Sequence, residues 1–156
     1  MLKGLRKAGT DKTILLKNVS VVSLDEERNR IVFNFMNNIF VFGRWTPDYH
    51  YAPYGSLLEA KEAFTKIKNM PYFQLNFFIS ESEDNLHLVN RDSVTSLSVK
   101  EDELKVIFNL NFSITSYKEN QPIEISKFIF WNYDNEDVFD DDRFEIIELL
   151  GEIEEI

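Results

Sequence analysis

The sequence predicts an α+β domain, in which two diverged strand–strand–strand–helix repeats build antiparallel β-sheet, share one core and place their helices on one face. Three observations predict it. Residues 19–35 align without a gap on residues 94–110, at a constant offset of 75 in a chain of 156. Within both stretches apolar and polar residues alternate, the period of a half-buried strand. Each stretch is followed, further along, by an amphipathic helical pattern that opens on a capping residue.

The alignment runs residue by residue. Val19-Ser-Val-Val-Ser-Leu24 matches Val94-Thr-Ser-Leu-Ser-Val99, and Arg30-Ile-Val-Phe-Asn-Phe35 matches Lys105-Val-Ile-Phe-Asn-Leu110. The charged stretches Asp25–Asn29 and Lys100–Glu103 connect the two strands of each hairpin. A third strand is expected over Ile39–Arg44 in the first copy. In the second it is expected over Phe112–Ser116, Ile123–Trp131, or both.

The first helix opens at Ser56-Leu-Leu-Glu59, a capping-box pattern. Leu57, Leu58, Phe64 and Ile67 then share a face with the stem of Lys61, and Pro71 ends the helix. The second is capped by Asn135 or Asp137. It aligns Phe139, Arg143, Ile146, Ile147 and Leu150, and stops at Gly151. The acids in its first turn favour the positive helix end. Between the copies, Tyr72–Ser80 reads as a strand, Glu81–Asn85 as a turn and Leu86–Val89 as a further strand. The reading is one domain over 1–156, with repeats at about 13–70 and 86–150; neither copy has enough apolar surface to stand alone.

Hydrophobic residues make up 44% of the chain and aromatics 14%, enough for a real core. With no cysteine, disulfides, thiolate metal sites and thiol nucleophiles are excluded. Met1–Lys12 is basic but has no apolar signal-peptide region, and no apolar run nears the roughly 18 to 20 residues of a membrane span. The expectation is a cytoplasmic protein, or one in the host cytoplasm if viral, with no membrane partner.

The net charge of -10 is unevenly placed. The acidic segment 131–156 holds eleven acids against Arg143, so it carries the whole excess, and the remainder is neutral. The opposite end is mildly basic, with Lys3, Arg6, Lys7, Lys12 and Lys17.

Little in the sequence points to catalysis. The two histidines, His50 and His87, have no second ligand at helical spacing. There is no GxGxxG, GxxxxGK[ST] or GxSxG motif. Asp140, Asp141 and Asp142 are consecutive, so on a helix they point in different directions and cannot jointly chelate an ion. A non-enzymatic protein without cofactor or metal is expected.

Two groups of aromatics stand out. Arg44–Gly55 reads as a loop stiffened by Pro47 and Pro53, displaying Trp45, Tyr49, Tyr51 and Tyr54. Phe128, Phe130, Trp131 and Tyr133 hold the equivalent place in the second copy; Phe128 and Phe130 are expected in the core. Two readings follow. In the first, an acidic interaction protein docks on a basic protein partner through Trp45, Tyr49, Tyr51, Tyr54, Asp140, Asp141 and Asp142. In the second, a single-stranded nucleic-acid-binding protein uses Lys3, Arg6, Lys7, Lys12 and Arg44 on phosphates and Trp131 and Tyr133 on bases. The duplicated strand–strand–strand–helix order is similar in outline to the Whirly and PUR-type folds, and that resemblance implies a sheet presented to unpaired bases. The neutral body favours the first reading, because phosphate affinity needs clustered cations. Exposed strand edges leave a homodimer open.

Overall fold

A computed structural model describes residues 3–116, 124–151 and 153–155. Over these residues it is a mixed α+β fold with antiparallel sheets and three α-helices.

Each hairpin forms where the alternation predicts it. Strand β3 (Val19–Asp25) pairs antiparallel with β4 (Arg30–Val41), after the short ribbon of β1 (Gly4–Leu5) and β2 (Ile14–Leu15). The helix α1 (Leu57–Lys68) follows β5 (Arg44–Pro53), and α2 (Pro71–Asn76) leads into β6 (Phe77–Phe78) and β7 (His87–Asn90). Strands β8 (Val94–Lys100) and β9 (Lys105–Ser116) make the second hairpin, joined by β10 (Glu124–Asn132) and closed by α3 (Glu136–Leu150).

The two hairpins correspond in detail. Val19 pairs with Phe35 and Val94 with Leu110; a bulge follows each of these pairs. The turn residues Asn29 and Leu104 have φ of 50° and 48°. A 3-10 turn precedes each hairpin, at Leu16–Asn18 and Arg91–Ser93. All of these features keep the offset of 75.

Three elements differ from expectation. The third strand of the first copy does not begin at Ile39: β4 runs unbroken to Val41, and Arg44–Pro53 is a strand, not a loop. Phe42 and Gly43, with φ of 49° and 74°, turn the chain as a two-residue hairpin turn requires. Prolines are tolerated in β5 because it is an edge strand, where a missing N–H costs no ladder bond. Tyr72–Ser80 is mostly not a strand, since Pro71 starts α2 at its first position and only Phe77–Phe78 is extended. In the second copy the separate strand is β10, the second of the two segments offered, whereas Phe112–Ser116 is the end of β9. Ile123, offered as its start, lies outside the described residues.

The helix starts follow their caps. The Ser56 hydroxyl accepts the Glu59 N–H at 3.2 Å, while the Glu59 carboxylate accepts the Gly55 N–H at 3.0 Å. Asn135 Oδ1 accepts from the N–H groups of Asp137 and Val138.

The strands divide among a five-stranded sheet in the order β5-β4-β3-β7-β6, a three-stranded sheet in the order β10-β9-β8, and the β1-β2 ribbon. Strand β3 serves two hydrophobic clusters, because neighbouring residues point to opposite faces. Val22, Leu24, Ile31, Phe33 and Leu88 pack with Ala60, Phe64 and Ile67 of α1 and Phe73 of α2. Val21, Phe78 and Val89, on the other face, pack with Val106, Phe108, Ile129 and Trp131 of the second sheet and Phe139 and Ile146 of α3. The helices therefore serve two different clusters.

One buried polar cluster joins these parts. Asp142 of α3, 1% exposed, accepts the hydroxyls of Ser80 and Tyr133 at 2.5 Å each and the Glu81 N–H at 2.9 Å. Asn85 donates to Ser80 Oγ and accepts the Asn132 N–H at 3.0 Å. Removing the carboxylate strands three donors, so Asp142→Ala should cost about 3 kcal/mol in urea unfolding. Asp141→Ala, at an exposed neighbour, should stay within about 0.5 kcal/mol.

Candidate functional site

Helix α3 buries one stripe and exposes an unusual other. Phe139, Asp142 and Ile146 face inward. A turn later the stripe leaves the core: Leu149 and Leu150 are about 40% exposed and Ile153 is 63% exposed. With Ile146 and Ile147 they wall a groove of about 640 Å³ against Val94, Leu97 and Val99 of β8, with Phe78 and Arg91 also lining it. Phe144, 69% exposed, stands outside the stripe between the exposed acids Asp140, Asp141, Glu145 and Glu148. Burial raises the Glu145 carboxyl above its ordinary value, reinforced by Glu81 and Asp142 and opposed by Arg91. This side of the molecule joins apolar surface to crowded negative charge.

The groove ends at a strand edge. Strand β8 pairs with β9 alone among the described residues, whereas the corresponding strand β3 pairs with β4 on one side and β7 on the other.

A second concavity lies at the opposite charge pole. Arg6, Lys7, Lys12 and Lys66 surround a cleft of about 580 Å³ with Tyr51, Tyr54 and His50, over an apolar floor that includes Ile14, Phe33 and Ile67. Lys7 Nζ donates to the Pro53 carbonyl and lies 4.5 Å from the Tyr54 ring centroid. Burial, with Lys12 adding to it, lowers the His50 imidazole, and burial raises the Tyr54 hydroxyl.

The residues singled out in the sequence are thus divided. Tyr51 and Tyr54 share the cleft with Arg6, Lys7 and Lys12, and line no part of the α3 groove. Lys3 Nζ lies 5.8 Å from the Tyr72 ring centroid. Tyr49 pairs with Asn34 in the β4–β5 ladder, and Arg44 opens β5 opposite Val41 at the hairpin end. Trp45 is described by its backbone alone, opposite Phe40. Asp140 and Asp141 are exposed, but Asp142 is a core residue, because the inward phase of α3 falls on it and three donors await it there. Trp131 and Tyr133 are also core residues, at 0% and 7% exposure, and offer no stacking surface. Trp131 Nε1 donates to the His87 carbonyl, and burial drives the Tyr133 hydroxyl well above its ordinary value, so it stays a donor to Asp142.

Phe128 and Phe130 reverse the expectation made for them. Each is nearly half exposed, on the face of β10 opposite Trp131, with ring centroids 6.4 Å apart. Strand alternation puts Trp131 inside, and so puts its neighbours out. Sequence reasoning also missed Phe144, Leu97 and Ile153. The available signal was Phe144, an apolar residue out of phase with the buried stripe of an acidic helix.

No protein-family model, curated protein or solved structure matches the chain. Among the described residues no helix is long and apolar enough to cross a membrane, and no three His, Cys, Asp or Glu side chains gather as a metal site.

His87 gives the fold a pH dependence. Its Nδ1 lies 2.7 Å from the Ser23 hydroxyl, and burial pushes its pKa down to about 4 from an ordinary value of 6.5. The unfolded chain therefore binds this proton first as pH falls, so the contribution is whole above pH 6.5 and is lost on descending to about 4. The loss should approach about 3 kcal/mol. Urea titrations across that window should show a flatter profile for His87→Gln than for the native chain.

Proposed function

We propose that the protein is a non-enzymatic acidic interaction protein whose α3 side docks on a basic partner. The observation that carries the reading is the groove of about 640 Å³ between α3 and β8, where Leu97, Val99, Leu150 and Ile153 lie beside the acids of the helix. An apolar groove beside polar and charged surface is the composition of a protein interface. The acids of the same helix select the partner: Glu145, close enough to the groove's Arg91 to feel its charge, attracts lysine and arginine and repels phosphate together with Asp141 and Glu148, while Asp140 is already paired with Arg143. An extended partner segment, apolar at alternate positions and basic between them, can pair with the edge of β8 while its apolar residues enter the groove. We also read the two halves as copies of one duplicated unit, on the strength of the shared offset of 75 in register, bulge and turn. On that reading, β7 on β3 is the internal counterpart of the partner on β8.

A synthetic peptide alternating valine and lysine tests the proposal by calorimetry. Micromolar, salt-sensitive binding is expected. Leu150→Asp, which deepens the negative charge but spoils the groove, should weaken it at least about tenfold, as should Glu145→Lys with Glu148→Lys. Absence of peptide binding, together with binding of oligo-dT that falls on Lys12→Ala, would overturn the reading in favour of nucleic acid.

A further inference from the structure

The cleft at the basic pole is a separate feature that the interaction reading does not use. Its construction begins with the β1-β2 ribbon. Gly4 pairs with Leu15 and Leu5 with Ile14, so both ends of the intervening segment are held together. Within it, Lys7 O accepts both the N–H and the hydroxyl of Thr10, at 3.2 and 2.7 Å, and Gly9 takes a φ of 80°. That tight turn, and the bond from Lys7 to the Pro53 carbonyl, set the basic segment against β5.

The cavity so formed has two chemical halves. Its floor is apolar: Ile14, Phe33 and Ile67 are each at most 5% exposed, and Leu5, Ala63 and Met70 complete it. Its mouth is cationic, with Arg6, Lys12 and Lys66 all exposed. Among the described residues none of these three has a carboxylate within ion-pair distance, and Asp11 is the acid of the lining. Tyr51 and Tyr54 also line the cleft, with the Arg30 guanidinium 4.5 Å from the Tyr51 ring centroid and the Lys7 ammonium 4.5 Å from that of Tyr54. A volume of about 580 Å³ suits a small organic molecule, and a mostly apolar wall with a few converging polar groups is the usual form of such a site.

We propose that this cleft binds a small organic anion with an apolar body, its carboxylate or phosphate head held by Lys12, Lys66 and Arg6 and its body seated on Phe33, Ile67 and Ile14. Each half of the cleft demands its half of the ligand. A fully polar anion leaves the floor wet, and a neutral apolar molecule leaves the cations unneutralised. Lowering of the His50 imidazole by burial and by Lys12 fits a pocket in which positive charge is uncompensated until the ligand arrives.

Calorimetric titration of the full chain with laurate and with 1-naphthyl phosphate tests this and separates an acyl from an aromatic body. Micromolar binding of at least one is expected, with its neutral counterpart, dodecanol or 1-naphthol, at least about tenfold weaker. Lys12→Ala with Lys66→Ala, at exposed positions that leave the fold intact, should cost at least about tenfold. Ala63→Trp, which fills the floor from α1, should abolish binding while the circular dichroism spectrum is kept. The proposal is overturned if neither anion binds, if the neutral compounds bind as tightly, or if the lysine variant retains full affinity. None of these outcomes bears on the α3 groove, so the two proposals stand or fall separately.

Discussion

A single buried carboxylate holds the second half of the molecule in place. Asp142 accepts from Ser80 and Glu81 in the β6–β7 connection and from Tyr133 just after β10, while standing on α3. An unpaired carboxylate at this depth would be prohibitive, and the three donors remove that penalty. They also fix geometry. The rotation of α3 that brings Asp142 to its donors is the rotation that buries Phe139 and Ile146 and turns Phe144, Asp140 and Asp141 outward. The exposed surface of the helix is set from its buried side.

Much of this could be read in the chain. Alternation gave both hairpins, because a strand with one wet face has no other pattern. Ser56, and Asn135 as one of two candidates, marked the helix starts, because the first turn of a helix has N–H groups that need an acceptor. The errors fell where a residue has two uses. Proline breaks a central strand yet is harmless at an edge, and nothing local in Arg44–Pro53 tells which place the strand will take. Pro71 can end one helix or begin the next. Trp131 and Tyr133 stand two residues apart, the spacing of one strand face, but alternation does not say which face is the core. Asp142 looked like its two neighbours, since its burial depends on donors 61 and 62 residues away.

The candidate sites were harder to read than the fold for a related reason. Tyr51 and Tyr54 were visible as unusual residues, but their company was not. They meet Arg6, Lys7 and Lys12 because the β1-β2 ribbon carries the basic segment alongside β5. Charge separation along the sequence became charge separation in space, with a cationic cleft on one side and an acidic helix on the other.

Strand β3 carries a further consequence. Its Val21 and Val22 belong to different clusters, so the strand is a wall common to both. Loss of either cluster would leave one face of that wall in water and weaken the other. A strand shared in this way couples the two clusters, so opening of β3 should expose both. Its backbone amides should be the last in the chain to exchange with deuterium. The ends of α3 and the tip of the β4–β5 hairpin, where Phe42 is fully exposed, should exchange through local opening long before.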